Sequence, residues 1–242
     1  MEQNPLMYTE FAPWWHLISP PKEYSEEADF YSNLFIEYGA DASSTVLELG
    51  SGGGNNASFL KTRFNITLVE ISSQMIAVSQ QINPELEHIR ADMRSVRLER
   101  GFDFIFIHDA IMYMTTEVDL LRAFITAACH CKVGGCVMVA PDEVTETFTP
   151  FTNCGGEDSE TGVGIRFLEW AYDPDPTDTT YVMDFAYMLR RPDGNVTITP
   201  DRHIIGLFPR QTWLDNLKKA GFVPVSVLDP FGRDVFIGRR VL

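Results

Sequence analysis

The stretch Val46-Leu47-Glu48-Leu49-Gly50-Ser51-Gly52-Gly53-Gly54-Asn55 decides the fold class of this chain. Its apolar half predicts a buried strand, and its glycines predict a tight turn that opens a helix. Glycines let the backbone approach a ligand closely, and the helix offers unpaired N–H groups where it begins. A second apolar run, 66–69, ends at Glu70. A carboxylate about twenty residues beyond such a loop can accept hydrogen bonds from both hydroxyls of a ribose, so the pattern predicts a nucleoside cofactor.

The spacing of the glycines distinguishes between three kinds of cofactor loop. The dinucleotide fingerprint G-x-G-x-x-G requires a glycine where this chain has Asn55, and the P-loop requires a Gly-Lys-Ser/Thr ending that the sequence lacks. The remaining pattern is E-x-G-x-G-x-G, with Glu48, Gly50, Gly52 and Gly54. It resembles the first motif of class I S-adenosylmethionine (SAM)-dependent methyltransferases.

Further segments resemble the same family, in the same order along the chain. They are Glu70–Met75 (the second motif), Arg90–Met93 (the adenine motif), Phe102–Ala110 (the fourth strand and its loop) and Val133–Gly135 (the Pro-Gly-Gly before the fifth strand). The resemblance covers residues 45–140 well and residues 207–240 reasonably.

The resemblance implies SAM as the cofactor and S-adenosylhomocysteine as the product. It implies that Glu70 holds the ribose and that Ile71 and Met75 flank the adenine. Asp92 would accept a hydrogen bond from the exocyclic amine, and the Met93 N–H would reach a ring nitrogen. The expected cofactor-binding residues are Glu48, Gly50, Ser51, Gly52, Gly54, Glu70, Ile71, Met75, Asp92, Met93 and His108.

Predicted strands and helices alternate along most of the chain, which indicates an α/β fold. The predicted strands are 45–49, 66–70, 87–91, 102–107, 135–140, 222–228 and 234–240. The predicted helices are 23–39, 55–63, 73–81, 117–131 and 210–220. This order predicts a Rossmann-like, seven-stranded, mostly parallel sheet with helices on both faces, plus an inserted antiparallel β meander after strand five.

Composition divides the chain into four regions. They are an N-terminal lid or helical arm (1–44), a SAM-binding core (45–141), an inserted substrate or oligomerisation region (142–206), and a C-terminal helix and hairpin that complete the core sheet (207–242). Inside the insertion, residues 142–162 are polar and predict a mobile loop, and residues 163–206 predict the meander. We expect this loop and the arm to gate the site.

The loop after the fourth strand indicates the class of acceptor. Family members that methylate bases and amides carry Asn/Asp-Pro-Pro-Tyr/Phe there, whereas this chain has His108-Asp109-Ala110-Ile111. The difference favours a small-molecule acceptor. Residues 206–213 and 230–233 resemble the tail of nucleotide-linked sugar N-methyltransferases, and that resemblance is partial, so it does not by itself assign a substrate.

Three residues are candidates for catalysis. His108 follows a buried strand, and its near-neutral ordinary pKa suits a general base, although its backbone could instead hold the carboxylate of SAM. His203 on the last insertion strand is the second candidate base, with a purely structural role as the alternative. In related small-molecule methyltransferases an N-terminal tyrosine closes over the methionine end of SAM, and Tyr8 is the corresponding candidate.

The expected substrate contacts come from three parts of the chain. Trp14 belongs to the aromatic arm, and Tyr113 lies one turn beyond the fourth-strand loop, facing either the acceptor or the core. On the first insertion strand, alternation places Arg166 and Trp170 on one face and Glu169 on the other. Arg166 could bind a carboxylate or phosphate in a bidentate manner, or be a solvated charge. His203 would complete this set.

Composition excludes several partners. The net charge of −15 repels phosphate backbones, so neither nucleic acid nor an anionic membrane is an expected partner. The four cysteines fit no zinc template, so no metal is expected, and their low density predicts a cytoplasmic, reduced protein. The insertion could also form a homodimer interface.

Three functions remain at this stage. The leading one is a SAM-dependent methyltransferase that transfers a methyl group to nitrogen or oxygen of a small molecule by in-line displacement. A nicotinamide-dependent oxidoreductase shares the acid after strand two, but Asn55 and the Asp92-Met93 pair count against it. A non-catalytic SAM-binding protein would keep the cofactor residues and lack an acceptor pocket.

Overall fold

A computed structural model describes residues 5–241, so residues 1–4 of the predicted arm and residue 242 lie outside the described part. The helices are α1 (Trp15–Ile18), α2 (Ser25–Glu37), α3 (Asn55–Leu60), α4 (Ser73–Ile82), α5 (Glu117–His130) and α6 (Arg210–Lys219). The strands are β1 (Thr45–Leu49), β2 (Asn65–Glu70), β3 (Glu87–Arg90), β4 (Phe102–Ile107), β5 (Cys131–Val139), β6 (Phe151–Gly155), β7 (Gly164–Tyr172), β8 (Thr180–Arg190), β9 (Val196–Gly206), β10 (Phe222–Leu228) and β11 (Asp234–Arg240). Short 3₁₀ helices cover Leu6–Tyr8, Ala12–Trp14, Pro21–Tyr24 and Asp109–Tyr113.

The larger sheet has seven strands in the order β10-β11-β5-β4-β1-β2-β3. Strands β1 to β5 run parallel, and β11 pairs antiparallel with both β5 and β10. The chain reverses its direction across the sheet between β1 and β4. Ligands of such sheets bind at this switch point, outside the carboxyl ends of the strands.

Both faces of this sheet are covered. Along β4, Ile105 and Ile107 pack into one apolar cluster with α5 and α6, while Phe104 and Phe106 pack into another with α2 and α3. A strand buried on both faces has a continuous apolar sequence, which is why residues 104–107 carry no polar side chain. The predicted Rossmann-like fold class is confirmed.

Local sequence signals account for the ends of several helices. Ser72 accepts from the Met75 N–H at the start of α4, and Thr116 accepts from the Asp119 N–H at the start of α5. After α2 the chain turns at Gly39, whose φ of 103° suits glycine. Among residues 5–241, no helix has the length and apolar character needed to cross a membrane.

The insertion forms a separate antiparallel sheet in the order β6-β7-β8-β9. The prediction of a loop over the whole of 142–162 was wrong, because residues 151–155 form β6 and pair with β7. This edge strand has mostly exposed residues and no alternation of burial, so only its pairing with β7 defines it. The start of strand five was also placed too late, since β5 begins at Cys131.

Candidate active site

The glycine loop between β1 and α3 is held in a conformation that only glycine adopts easily. Gly50, Gly52 and Gly54 have φ values of 79°, 53° and 75°. The N–H groups of Gly50 and Ser51 donate to the Val69 carbonyl, at 2.8 and 3.1 Å. A Cβ on Gly50 would lie 2.4 Å from the Ala110 Cβ, so the loop is packed against the end of β4.

Glu70 fastens this loop from the end of β2. One carboxylate oxygen accepts from the Gly52 N–H at 2.9 Å, and the other accepts from the Ser72 N–H at 2.8 Å. The side chain is buried; burial raises its pKa, and the backbone donors oppose that rise. Each oxygen keeps a second acceptor direction, so the carboxylate is oriented and still able to bind hydroxyl donors.

Buried polar atoms around the loop have no hydrogen-bond partner within residues 5–241. They include Trp15 Nε1, His16 Nε2, Glu48 Oε2, Ser51 Oγ and Asn55 Oδ1. An unsatisfied buried polar atom is costly, and such atoms seldom concentrate in one place. Their position at the switch point fits a ligand rich in both donors and acceptors, and SAM is such a ligand.

Glu48 is the most strongly perturbed of these groups. It is 3% exposed, and burial raises its pKa to about 8, with the nearby Glu70 adding to the rise and His108 opposing it. A buried carboxyl group in this condition gains from any cationic or donor group that a ligand brings.

The N-terminal arm, which we define as residues 5–18, lies over the glycine loop. A Cβ on Gly53 would lie 2.3 Å from Trp15 Nε1, so the indole rests directly on the backbone there. The Ser72 Oγ donates to the Tyr8 carbonyl at 2.5 Å, and Ala12 packs with Met75. Trp14 points to another apolar cluster, with its ring centroid 6.2 Å from that of Phe11.

The residues expected to contact the adenine differ in how exposed they are and in the partners they already have. Ile71 is 54% exposed, whereas Met75 is buried and Met93 packs beneath Gly50. The Asp92 carboxylate is paired with Arg94, whose Nη2 lies 2.7 Å away. Burial would raise the pKa of Asp92, but the hydrogen bonds from Arg94 lower it. The carboxylate is therefore ionised and already partly occupied, and its contact with adenine stays a prediction.

His108 lies between two carboxylates. Its Nε2 is 2.9 Å from Glu27 Oε1, and its Nδ1 is 3.1 Å from Asp109 Oδ1. Burial would lower the pKa of His108, but the two acids raise it well above its usual value. Each ring nitrogen of His108 therefore faces a carboxylate, and its two predicted roles, as a base or as a backbone contact to the SAM carboxylate, stay predictions.

A second group of polar side chains joins the arm to the insertion. The Tyr113 hydroxyl lies 3.1 Å from the Tyr8 hydroxyl and 2.8 Å from His203 Nδ1. On the other side of the imidazole, Nε2 lies 3.2 Å from Asp201 Oδ2. We call Tyr8, Tyr113, His203 and Asp201 the acceptor cluster. It brings together three predicted site residues from distant parts of the chain.

Two predicted substrate residues lie elsewhere. Arg166 and Trp170 do share one face of β7, but it is the outer face of the four-stranded sheet. Arg166 pairs there with Asp158 at 3.1 Å, and Trp170 is 55% exposed beside Tyr172. The inner face carries buried Glu169. The exposure of Arg166 matches its predicted alternative as a solvated charge, and a substrate role for Arg166 and Trp170 stays a prediction.

Sequence reasoning missed residues whose partners are remote. Glu27 contacts both His108 and Arg233, and its pKa falls to about 2 because hydrogen bonding and charge from His108 outweigh the effect of burial. Its signal was a carboxylate one turn before Tyr31 on the apolar face of α2. Asp201 gave a signal too, because it shares a strand face with His203 two residues on.

The glycine loop at the switch point, the oriented acid after β2 and the antiparallel last strand are features that class I SAM-dependent methyltransferases share. Residues 46–135 match the family model described as a methyltransferase domain. The chain is a SAM-dependent methyltransferase, with SAM as the cofactor, S-adenosylhomocysteine as the product and a small molecule as the acceptor.

Two similar proteins come from Streptomyces. The chain is 26% identical over 223 residues to the dTDP-3-amino-3,6-dideoxy-alpha-D-glucopyranose N,N-dimethyltransferase of Streptomyces fradiae, covering 90% of this chain and 85% of that protein. It is 26% identical over 221 residues to the dTDP-3-amino-3,4,6-trideoxy-alpha-D-glucopyranose N,N-dimethyltransferase of Streptomyces venezuelae, covering 90% and 91%.

The fold matches solved structures along its whole length. The X-ray structure of the sugar N-methyltransferase KedS8 from Streptoalloteichus sp ATCC 53650 superposes with a TM-score of 0.84 at 22% identity. The match covers 100% of this chain and 96% of that one, so it includes the four-stranded sheet.

Proposed function

We propose that this enzyme methylates the amino group of a sugar carried by a nucleotide. Two relatives that align with 90% of the chain bear names of that activity on dTDP-linked amino sugars. An alignment of this extent includes most of the insertion as well as the cofactor core. The insertion supplies half of the acceptor cluster, so the likeness includes the part of the molecule that we propose faces the substrate.

The single observation that carries the proposal is the acceptor cluster itself. An amine in water is mostly protonated, and it must lose that proton before its lone pair can attack a methyl group. His203 is oriented by a carboxylate on one side and faces a pair of tyrosine hydroxyls on the other. This arrangement can take up one proton without any strong acid or metal.

We place SAM at the opposite end, over the glycine loop. In this proposal Glu70 binds the ribose hydroxyls, and Ile71 and Met75 contact the adenine. Asp92 and Met93 form hydrogen bonds with the edge of the adenine ring. Glu48 and Ser51 then gain partners for their unsatisfied oxygens, and the protonated His108 offsets the negative charge of Glu27. SAM supplies an electrophilic methyl group, so the protein contributes mainly alignment and the exclusion of water.

The four regions of the chain can each be assigned a role in this proposal. We propose that residues 45–141 bind the cofactor, that the arm and residues 142–206 form the acceptor side, and that residues 207–242 complete the core sheet. The free cysteines of the described chain suit a reducing compartment, which supports a cytoplasmic location.

We also propose that the enzyme is a homodimer joined by the outer face of the four-stranded sheet. Five large apolar side chains on this face are 44–67% exposed; they are Leu168, Trp170, Met188, Ile198 and Ile204. A patch of this kind on an isolated chain marks an interaction surface. Light scattering should give the mass of a dimer, and Ile198→Glu should give a monomer; a monomeric wild type contradicts this part.

The test of function is a comparison of matched acceptors. Purified protein, SAM and dTDP-3-amino-3,6-dideoxyglucose should yield N-methylated sugar by mass spectrometry, with release of S-adenosylhomocysteine. The same nucleotide sugar with a hydroxyl in place of the amine should not react. Methylation of the hydroxyl compound alone contradicts the proposal, as does the absence of product from every amino sugar when SAM binding is intact.

A further inference from the structure

Asp201 contacts both the arm and His203. The Leu6 N–H donates to Asp201 Oδ2 at 2.7 Å, across 195 residues of sequence. The same oxygen lies 3.2 Å from His203 Nε2. The Asp201 side chain is only 10% exposed, so water competes weakly for this oxygen.

The arm is attached at its other points to the cofactor side. Tyr8 accepts from Ser72 at the start of α4, and Trp15 rests on the glycine loop at Gly53. Leu6 is thus one end of a segment that covers the cofactor loop and reaches the acceptor cluster. When the arm is closed, Tyr8 also contacts Tyr113.

The chemistry of the contact determines the state of the imidazole. A carboxylate only accepts hydrogen bonds, so Asp201 favours a proton on His203 Nε2. Glu169 from β7 also faces this ring and is held by Asn153 at 3.5 Å.

We infer that Asp201 couples the closed position of the N-terminal arm to the tautomer and orientation of His203. Asp201 is a positioning residue, because it acts through His203 and the Leu6 N–H. The inference rests on the proposed function, in which His203 serves the acceptor. Its consequence is that the acceptor side becomes competent only when the arm lies over the cofactor side.

One pair of variants isolates the Leu6 N–H. Leu6 is the first residue of a 3₁₀ helix, and Pro5 before it is extended, so Leu6→Pro removes the donor at a position that tolerates proline. Leu6→Ala shortens the side chain and keeps the donor, so it is the matched control. Asp201→Ala removes the acceptor, and Asp201→Asn retains an oxygen that can take its place.

Two measurements on the full chain with S-adenosylhomocysteine test the coupling. Hydrogen exchange should rise roughly tenfold or more across residues 7–18 in Leu6→Pro and Asp201→Ala, because each loses a hydrogen bond to a charged group. It should change little in Leu6→Ala and Asp201→Asn. The ¹⁵N resonances of the His203 ring, assigned with His203→Gln, should shift in the first two variants and stay near wild type in the others.

Three outcomes overturn the inference. One is an arm that loosens in Leu6→Pro while the His203 resonances stay unchanged. The second is an Asp201→Ala protein with the wild-type imidazole spectrum, and the third is equal loosening in Leu6→Pro and Leu6→Ala. None of these readouts requires an acceptor, so they remain decisive even if every amino sugar proves unreactive.

Discussion

The two ends of the candidate active site differ in how their buried polar groups are satisfied. Around the glycine loop, Glu48, Ser51 and Asn55 each have a buried oxygen with no partner within residues 5–241. In the acceptor cluster, the side chains of Tyr8, Tyr113, His203 and Asp201 already bond to one another. In our proposal, a ligand therefore supplies the missing partners at the cofactor end, whereas a substrate binds beside side chains that already bond to one another at the acceptor end. Substitutions at the first should weaken cofactor binding, and substitutions at the second should slow turnover.

Gly50→Ala should have the largest effect of the substitutions, because it disrupts the glycine loop at the cofactor end. The new methyl group would meet Ala110 and Met93 at a φ of 79°. We expect SAM affinity to fall at least roughly 100-fold and the free energy of unfolding to fall by roughly 2–4 kcal/mol, from backbone strain and overpacking. Calorimetry and thermal unfolding measure the two effects.

Gly134→Ala is the matched control, because Gly134 also has a positive φ but no atom lies within 4 Å of its Cβ position. It should cost about 1 kcal/mol of stability and leave SAM affinity unchanged. Equal losses of affinity in the two variants would show that strain alone, and not the shape of the loop, explains the result.

His203→Gln tests the role of the acceptor end in turnover. Turnover of the amino sugar should fall roughly 10²-fold to 10⁴-fold, as expected when a general base is lost. The dissociation constant of SAM should stay within about twofold, because His203 does not contact the loop. Val133→Ala, at a side chain that is 72% exposed near the start of β5, is the control and should retain full turnover.

Glu70→Gln tests the oriented acid at the cofactor end. The amide keeps one acceptor oxygen but introduces a donor facing the N–H of Gly52 or Ser72. SAM affinity should fall at least roughly tenfold, since charge-assisted hydrogen bonds are lost. Titration calorimetry checks this, with exposed Glu85→Gln as the control; wild-type affinity in Glu70→Gln contradicts the assignment of the ribose site.

Substitution of Glu48 should have the smallest effect on function, and its effect on stability should depend on pH. Its pKa is about 8 in the fold against 4.5 in the unfolded chain, so the native state binds the extra proton between these values. The free energy of unfolding should therefore fall as pH rises through that window. His108 also has a raised pKa, so its titration likewise lowers stability as pH rises. Glu48→Gln should be close to wild type in stability at pH 5 and more stable than wild type at pH 8. Thermal unfolding at both pH values measures the difference, and an equal gain at both would contradict the raised pKa.

The sequence predicted what depends on neighbouring residues. The glycine loop, the strands of the core and the turn into α4 follow from local spacing and from apolar runs, and the fold class was predicted correctly. The alternation along β7 was also right, in that Arg166 and Trp170 share a face. What alternation could not show is which face of the strand turns towards the core, because that depends on how the insertion docks.

Local sequence patterns could not predict contacts between residues that lie far apart in the chain. His108 was predicted to be a base or a backbone contact to SAM, and its pairing with Glu27 from α2 is not visible in any motif. The Leu6 contact with Asp201 spans 195 residues. Strand β6 was missed because its exposed residues show no alternation of apolar and polar side chains, and only its pairing with β7 defines it.

Calorimetric titration of the wild type, Glu70→Gln and His203→Gln with SAM tests the division into two ends most directly. The account predicts that the wild type and His203→Gln bind with similar affinity, in the micromolar range by order of magnitude, and that Glu70→Gln binds at least roughly tenfold more weakly. A wild type that does not bind SAM, or a His203→Gln protein that loses as much affinity as Glu70→Gln, would contradict it.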